Sequence, residues 1–243
     1  MAIKLYGSSN SGNCLKPKWV AALLDVPIEW IETDSFDGAT RKPDFLAINP
    51  AGQVPVVVLE DGRKLAQSNA IMLHLAEGSR LIPVDTYARA KMFEWLFWEQ
   101  YSHEPYVAVA RFQMHYLGKP ASDLDPKLVE RGHGALARLE QGLGASAFLV
   151  GDRASLADVA LVAYTRVAHE GGFNLNDYPA VKAWVARVEA ALKIDPTDGG
   201  DSRRASLSLD LRRGDETSLS RLRLYGVSYG LDLFSNFTYF LDD

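Results

Sequence analysis

The chain has a single cysteine, Cys14, in 243 residues. No intrachain disulfide framework is available, and this fits a reducing compartment. Positive charge is not in excess. Lys and Arg number 26 against 31 Asp and Glu, a net charge of −5, which gives no basic surface for nucleic acid. Long apolar runs are missing too. None reaches transmembrane length, and the N-terminal MAIKLYGSS lacks a signal-peptide core. His103 and His115 have no neighbouring Cys, and no ligand spacing of His, Asp or Glu recurs, so no metal site is expected. The expectation is a soluble, cytoplasmic protein without membrane, nucleic-acid or metal partners. What is present is 47% hydrophobic residues, enough for a core in one large or two modest domains.

The stretch 49–75 carries the densest signal. Val54–Leu59 is β-rich, with Pro55 near its start. Glu60-Asp61-Gly62 is a hairpin turn, because Asp-Gly supplies the positive φ angles that a tight turn needs. Arg63–Gln67 is the returning strand. Ser68 reads as an N-cap, and Ile71, Met72 and Leu75 follow it at helical spacing. The hydroxyl of Ser68 and the free N–H groups of the first turn would suit a carboxylate.

The N-terminus reads as strand, polar loop, helix, strand. Ile3–Tyr6 is the first strand, GSSNSGN the loop, and Ile28–Glu32 the second strand. Pro17 suits the first helical turn, and Trp19, Val20, Leu23 and Leu24 give that helix its buried face. Ser11-Gly12-Asn13-Cys14 has the spacing of a thioredoxin Cys-x-x-Cys, with Ser first. A hydroxyl at a helix N-terminus donates to a thiolate, and the helix dipole favours the negative charge. Ser11 is the candidate for that role, with Ser8 and Ser9 as alternatives. Cys14 reads as a small buried hydrophobe, against the alternative of a redox nucleophile.

NPAGQVP followed by Gln67-Ser68 resembles the glutathione S-transferase family, and KLYGSSNSGNCLK is similar to the first strand and loop of its Ser-type theta and phi classes. The resemblance covers about residues 1–193. It implies an α+β thioredoxin-like domain followed by an all-α helical-bundle domain. It implies glutathione as co-substrate, a cis peptide at Pro55, and a glutathione site along Gln53, Val54, Gln67 and Ser68. Ser68 would meet the γ-glutamyl carboxylate. Arg41 and Lys42 would approach the glycine carboxylate, the alternative being a solvated charge pair. Ser11 would hydrogen-bond the sulfur. The electrophile pocket would draw on Tyr101, Tyr106, Arg111, Phe112 and His115, each of which could equally be helix core. The implied activity is transfer of glutathione to a small hydrophobic electrophile by a homodimer. The alternatives are a glutathione-dependent thiol-disulfide oxidoreductase and a non-catalytic interaction module.

The expected boundaries are a thioredoxin-like domain over 1–77, a linker over 78–85, a helical domain over 86–193 and an atypical tail over 194–243. Helices are expected over 86–103, from Pro105 to about 117, over 126–143 and over 179–192. Ser155 and Asp158 spell a capping box. The tail's first half is rich in Asp, Arg, Ser and Gly, and its second half, 222–241, has the alternation of a hairpin. It is expected to pack poorly on the two domains.

Overall fold

The computed structural model describes residues 2–34, 36–144, 146–192, 199–214 and 219–234. They form two compact units, within residues 1–194 and 195–243.

The first unit begins with a four-stranded sheet. Strands β1 (Ile3–Gly7), β2 (Ile28–Glu32), β3 (Val56–Val58) and β4 (Lys64–Ala66) lie in the order β2-β1-β3-β4. β1 runs parallel to β2 and antiparallel to β3, and β3–β4 is an antiparallel hairpin. The hairpin turns at Gly62, φ +83°, with Asp61 accepting from the Arg63 N–H at 3.0 Å. Helix α1 (Gly12–Leu23) makes the parallel crossover, and α3 (Ser68–Leu75) follows β4. These are the β-α-β and β-β-α halves of a thioredoxin-like domain.

Three local expectations change. α1 starts at Gly12, so Pro17 lies in its sixth position rather than its first turn. α3 starts at Ser68 itself, and Gln67 is the flanking residue, with φ +74°. A 3-10 turn (Ala39–Arg41) and a short helix α2 (Pro43–Ile48) occupy the polar segment before β3. Pro43 at the first position of α2 was the available signal.

The helical part comprises α4 (Thr86–Trp98), α5 (Glu104–Arg111), α6 (Pro126–Leu143), α7 (Leu156–Thr165) and α8 (Pro179–Leu192). A π-helical turn, Glu99–His103, joins α4 to α5, and a second, Phe112–Tyr116, follows α5. The single helix expected over 86–103 therefore changes winding at Glu99, and Pro105 opens α5. One buried cluster spans both parts, with Trp19, Val20 and Met72 beside Met92, Leu96, Leu156, Val159 and Trp184. Among the described residues, no helix is long and apolar enough to cross a membrane.

In the second unit, β5 (Gly199–Gly214) pairs antiparallel with β6 (Leu219–Phe234). The hairpin thus uses the first half of the tail as a strand, where only the second half was expected to pair with itself. Leu207, Leu209 and Leu211 alternate along β5 and stand opposite Gly226, Leu224 and Leu222. That period-2 pattern outweighs the polar composition of the segment.

α7 is buried along its whole length and is fixed at its N-terminus by one carboxylate. Asp158 accepts from the Leu149 N–H at 3.0 Å, the Ser155 N–H at 2.9 Å and the Trp184 indole at 2.9 Å. The Ser155 hydroxyl in turn accepts from the Ala157 N–H at 3.3 Å, completing the capping box. Asp158→Ala would leave the Leu149 and Ser155 N–H groups and the Trp184 indole without an acceptor, together with the Ser155 hydroxyl, which donates to the same carboxylate at 3.1 Å; each buried donor is worth about 1–3 kcal/mol. It is expected to lower unfolding free energy in urea by at least about 3 kcal/mol. A loss below about 1 kcal/mol would show that water replaces the carboxylate.

Candidate functional site

A cleft of about 660 Å³ opens where the loops of the sheet meet the π turn after α4, helix α5 and the C-terminal end of α7. Its polar end is built by three segments. The β1–α1 loop brings Ser8, Ser11 and Asn13; the α2–β3 loop brings Gln53, Val54 and Pro55; the β4–α3 junction brings Gln67 and Ser68. The Val54–Pro55 peptide is cis. Asn49 shapes the middle segment, donating from Nδ2 to the Gln53 carbonyl at 2.7 Å and accepting from the Ala51 N–H at 3.2 Å. Gln67, at φ +74° and ψ +115°, is a non-glycine residue in a sparsely populated backbone region, held between a paired strand and a helix. Such outliers concentrate at functional sites.

The three loop serines are not equivalent. Ser9 is consumed by Glu32, which accepts from its N–H at 2.8 Å and its hydroxyl at 2.7 Å. Ser8 is buried, and its hydroxyl accepts from the Asn10 N–H at 3.4 Å. Ser11 stands at the N-cap of α1, yet its hydroxyl accepts nothing from its own helix. Cys14 is fully buried, and burial pushes its thiol up to about 11, the nearby Ser11 side chain offsetting this only in part. It is a protonated, enclosed thiol at neutral pH, which fits the hydrophobe and not the redox nucleophile.

Asn13 is the hub that sequence reasoning missed. Its Oδ1 accepts from Lys16 Nζ at 2.8 Å and from the Ser68 hydroxyl at 3.3 Å. Its Nδ2 donates to Glu104 Oε1 at 3.4 Å, and its backbone N–H donates to the Tyr164 hydroxyl at 3.2 Å. Lys16 and Glu99, both fully buried, form an ion pair at 2.8 Å. Glu99 also accepts from Gln100 Nε2 at 2.7 Å and from Asn69 Nδ2 at 3.4 Å. Burial first, and then the neighbouring Glu99, raise the Glu104 carboxyl above its ordinary range. None of these residues sits in a recognisable spacing. Lys16 and Glu99 lie 83 positions apart, and only their burial together marks them.

The other end of the cleft is aromatic. Phe36 stacks on Phe112 at 5.8 Å and packs against Tyr116 at 5.5 Å. Arg111 donates to the Asn10 carbonyl at 3.0 Å and forms an ion pair with Glu170, and the Tyr116 hydroxyl donates to the same carbonyl at 2.8 Å. Of the candidates on this side, Arg111 and Phe112 line the cleft, whereas Tyr101, Tyr106 and His115 do not. Tyr101 is 82% exposed, the Tyr106 hydroxyl accepts from Arg131 at 2.6 Å, and His115 lies 3.7 Å from Glu170. Arg41 lines the opposite rim, and Lys42 is exposed outside it. Gly52, at φ +62°, leaves room for Arg41, because a Cβ there would meet its guanidinium at 2.6 Å. Among the described residues, no group of three His, Cys, Asp or Glu could hold a metal ion.

Two family models match this arrangement. That of the glutathione S-transferase N-terminal domain covers residues 1–77, and that of the C-terminal domain covers residues 97–191. Glutathione S-transferase 3 of Zea mays is 32% identical over 201 residues, covering 77% of this chain and 89% of that one. The chain belongs to the glutathione S-transferase family. Disulfide-bond oxidoreductase YfcG of Escherichia coli strain K12 is 30% identical over 171 residues, 66% of this chain and 78% of that protein. The crystal structure of a glutathione S-transferase from Pseudomonas fluorescens Pf-5 superposes with a TM-score of 0.75 at 47% identity, covering 78% of this chain and 96% of that one. In this family member the boundary between sheet and helices is the cleft, and Lys16–Glu99 is the charged contact that crosses it.

Removing one member of a buried ion pair strands the other, at about 3–5 kcal/mol. Lys16→Met is expected to destabilise the fold by that amount in urea, and adding Glu99→Leu to recover most of it. No recovery in the double variant would assign the loss to Lys16 packing rather than charge.

Proposed function

We propose that this family member is a glutathione transferase that presents the glutathione thiolate to a small hydrophobic electrophile. The observation that carries the reading is the Ser11 hydroxyl, lining the cleft at the N-terminus of α1 without capping it. A thiolate there would accept from that hydroxyl and lie at the positive end of the helix. The peptide of glutathione would run along Val54, with Gln53, Gln67 and Ser68 toward its γ-glutamyl end and Arg41 toward its glycine carboxylate. The electrophile would sit against Phe36, Phe112 and Tyr116. The sulfur attacks an electrophilic carbon, the C–S bond forms as the leaving-group bond breaks, and the thiol proton passes to solvent. Glutathione is the only co-substrate the reaction needs.

The similarity to YfcG supports a second reading, glutathione-dependent disulfide reduction. The two are separated by assaying aryl halide, epoxide and isothiocyanate conjugation beside reduction of a mixed disulfide. With the best electrophile, Ser11→Ala is expected to lower kcat roughly 10²–10³-fold, the cost of one oriented donor to an anion, while glutathione affinity is kept. Ser68→Ala is expected to weaken glutathione binding roughly 10–100-fold with less effect on saturated turnover. Full conjugation by Ser11→Ala would move the donor to Ser8 or a backbone N–H. Disulfide reduction without conjugation would select the second reading.

We also propose a homodimer. The support is the exposed aromatic surface of α4 and the π turn after it, where Phe97 is 72% and Tyr101 82% exposed. Light scattering at micromolar concentration is expected to return twice the 26.8 kDa chain mass, and a monomer mass would refute it.

A further inference from the structure

The Ser11 hydroxyl does not cap its own helix, for a reason that lies in α7. A serine at an N-cap ordinarily accepts from the N–H of the second or third helical residue. Ser155 does this for α7, accepting from the Ala157 N–H at 3.3 Å. In α1 both such donors are already used. The Cys14 N–H donates to the Ser11 carbonyl at 2.9 Å, and the Asn13 N–H donates to the Tyr164 hydroxyl at 3.2 Å. Tyr164 reaches this point because Gly12 has no side chain. A Cβ at Gly12 would meet the Tyr164 ring at 2.8 Å. The ring is 7% exposed, lines the cleft, and belongs to a helix whose N-terminus Asp158 holds. Burial and the Glu104 carboxylate keep the phenol protonated, so it adds no negative charge beside a thiolate; the hydrogen bonds from the Asn13 N–H and then the Ser11 side chain act in the opposite direction.

We infer that Tyr164 is a positioning residue for Ser11: by taking the Asn13 N–H it substitutes for the serine as the cap of α1 and leaves the Ser11 hydroxyl facing the cleft. This rests on the proposed role of Ser11 as donor to the glutathione sulfur. Without the phenol, Ser11 Oγ would turn to cap its own helix, as Ser155 does, and the sulfur would lose its donor.

The test is a cycle of Tyr164→Phe, Ser11→Ala and the double variant, read by conjugation kinetics and by pH titration of thiolate ultraviolet absorbance in the glutathione complex. Tyr164→Phe is expected to lower kcat/KM roughly tenfold, the rate equivalent of one neutral hydrogen bond, with glutathione affinity unchanged. Its thiolate titration is expected to move up by as much as about one pH unit. Because Tyr164 acts through Ser11, the double variant is expected to be no slower than Ser11→Ala alone. Multiplying losses in the double variant would overturn the inference and place the phenol on the sulfur itself. A wild-type titration in Tyr164→Phe would overturn it while leaving Ser11 in its role, provided Ser11→Ala shifts the titration. A wild-type titration in Ser11→Ala would remove the reading of Ser11, and the inference with it.

Discussion

The pairing of Lys16 with Glu99 is the constraint on which the cleft depends. Both side chains are fully buried, and water is exchanged for an N–O contact of 2.8 Å. Desolvation of two charges offsets most of what the contact gains, so the pair is weak evidence for stability. Its effect is on registry. Glu99 opens a π-helical turn, where the backbone winds one residue wider than in α4. Lys16 satisfies the displaced carboxylate and also holds Asn13 Oδ1. Through that one amide the pair fixes the positions of Ser68, Glu104 and the first turn of α1. His103, at the other end of the π turn, is buried beside the pair, and burial lowers its pKa to about 4. Its Nε2–H points to Thr165 Oγ1, since that hydroxyl donates to the Leu161 carbonyl at 2.7 Å. The imidazole stays neutral, and no second cation competes with Lys16 for the carboxylate.

The parts of this fold legible in the sequence are those encoded by neighbours in the chain. Asp61-Gly62 marks the hairpin, the periodicities of α6 and α8 mark their ends, and Ser155 with Asp158 marks the capping box. The polar end of the cleft was readable for the same reason. Gln53 to Pro55 and Gln67-Ser68 are short contiguous motifs. What was not legible depends on long-range contacts. Pro17 looked like a first-turn proline because nothing local says that α1 starts five residues earlier. Gln67 reads as the last residue of a strand, but the ladder ends at Ala66, paired with Val56, and Gln67 takes φ +74°. Tyr101 lies inside the first π turn, whose wider winding an uninterrupted 3.6-residue period does not see, and Tyr106 lies five residues before Arg111 on the same helix, off the face that Arg111 presents.

The two capping serines show how identical local chemistry acquires different uses. Ser155 faces a buried carboxylate and is locked by it. Ser11 faces a cleft, and its capping duty is taken by a phenol 151 positions away from the amide it accepts from. Glycine at position 12 is required by that approach rather than by its φ angle, since it is helical. The Ser-Gly-Asn-Cys spacing therefore carries three separate demands. It needs a hydroxyl at the cleft, space for a ring, and an amide that gathers Lys16, Ser68 and Glu104.

The same geometry bears on which sulfur chemistry suits the cleft. Disulfide exchange proceeds by attack of a thiolate on a disulfide sulfur through a mixed disulfide. Ser11 can donate to a thiolate but cannot form that intermediate. Cys14, three residues on, is enclosed and held in its thiol form by burial. Reduction here would have to run between external sulfurs, with one glutathione attacking the mixed disulfide and the polar end holding a second. Transfer to carbon, as proposed, needs only one bound glutathione, and the stacked rings of Phe36, Phe112 and Tyr116 would face the partner. That wall supplies apolar surface, which supports the proposed conjugation.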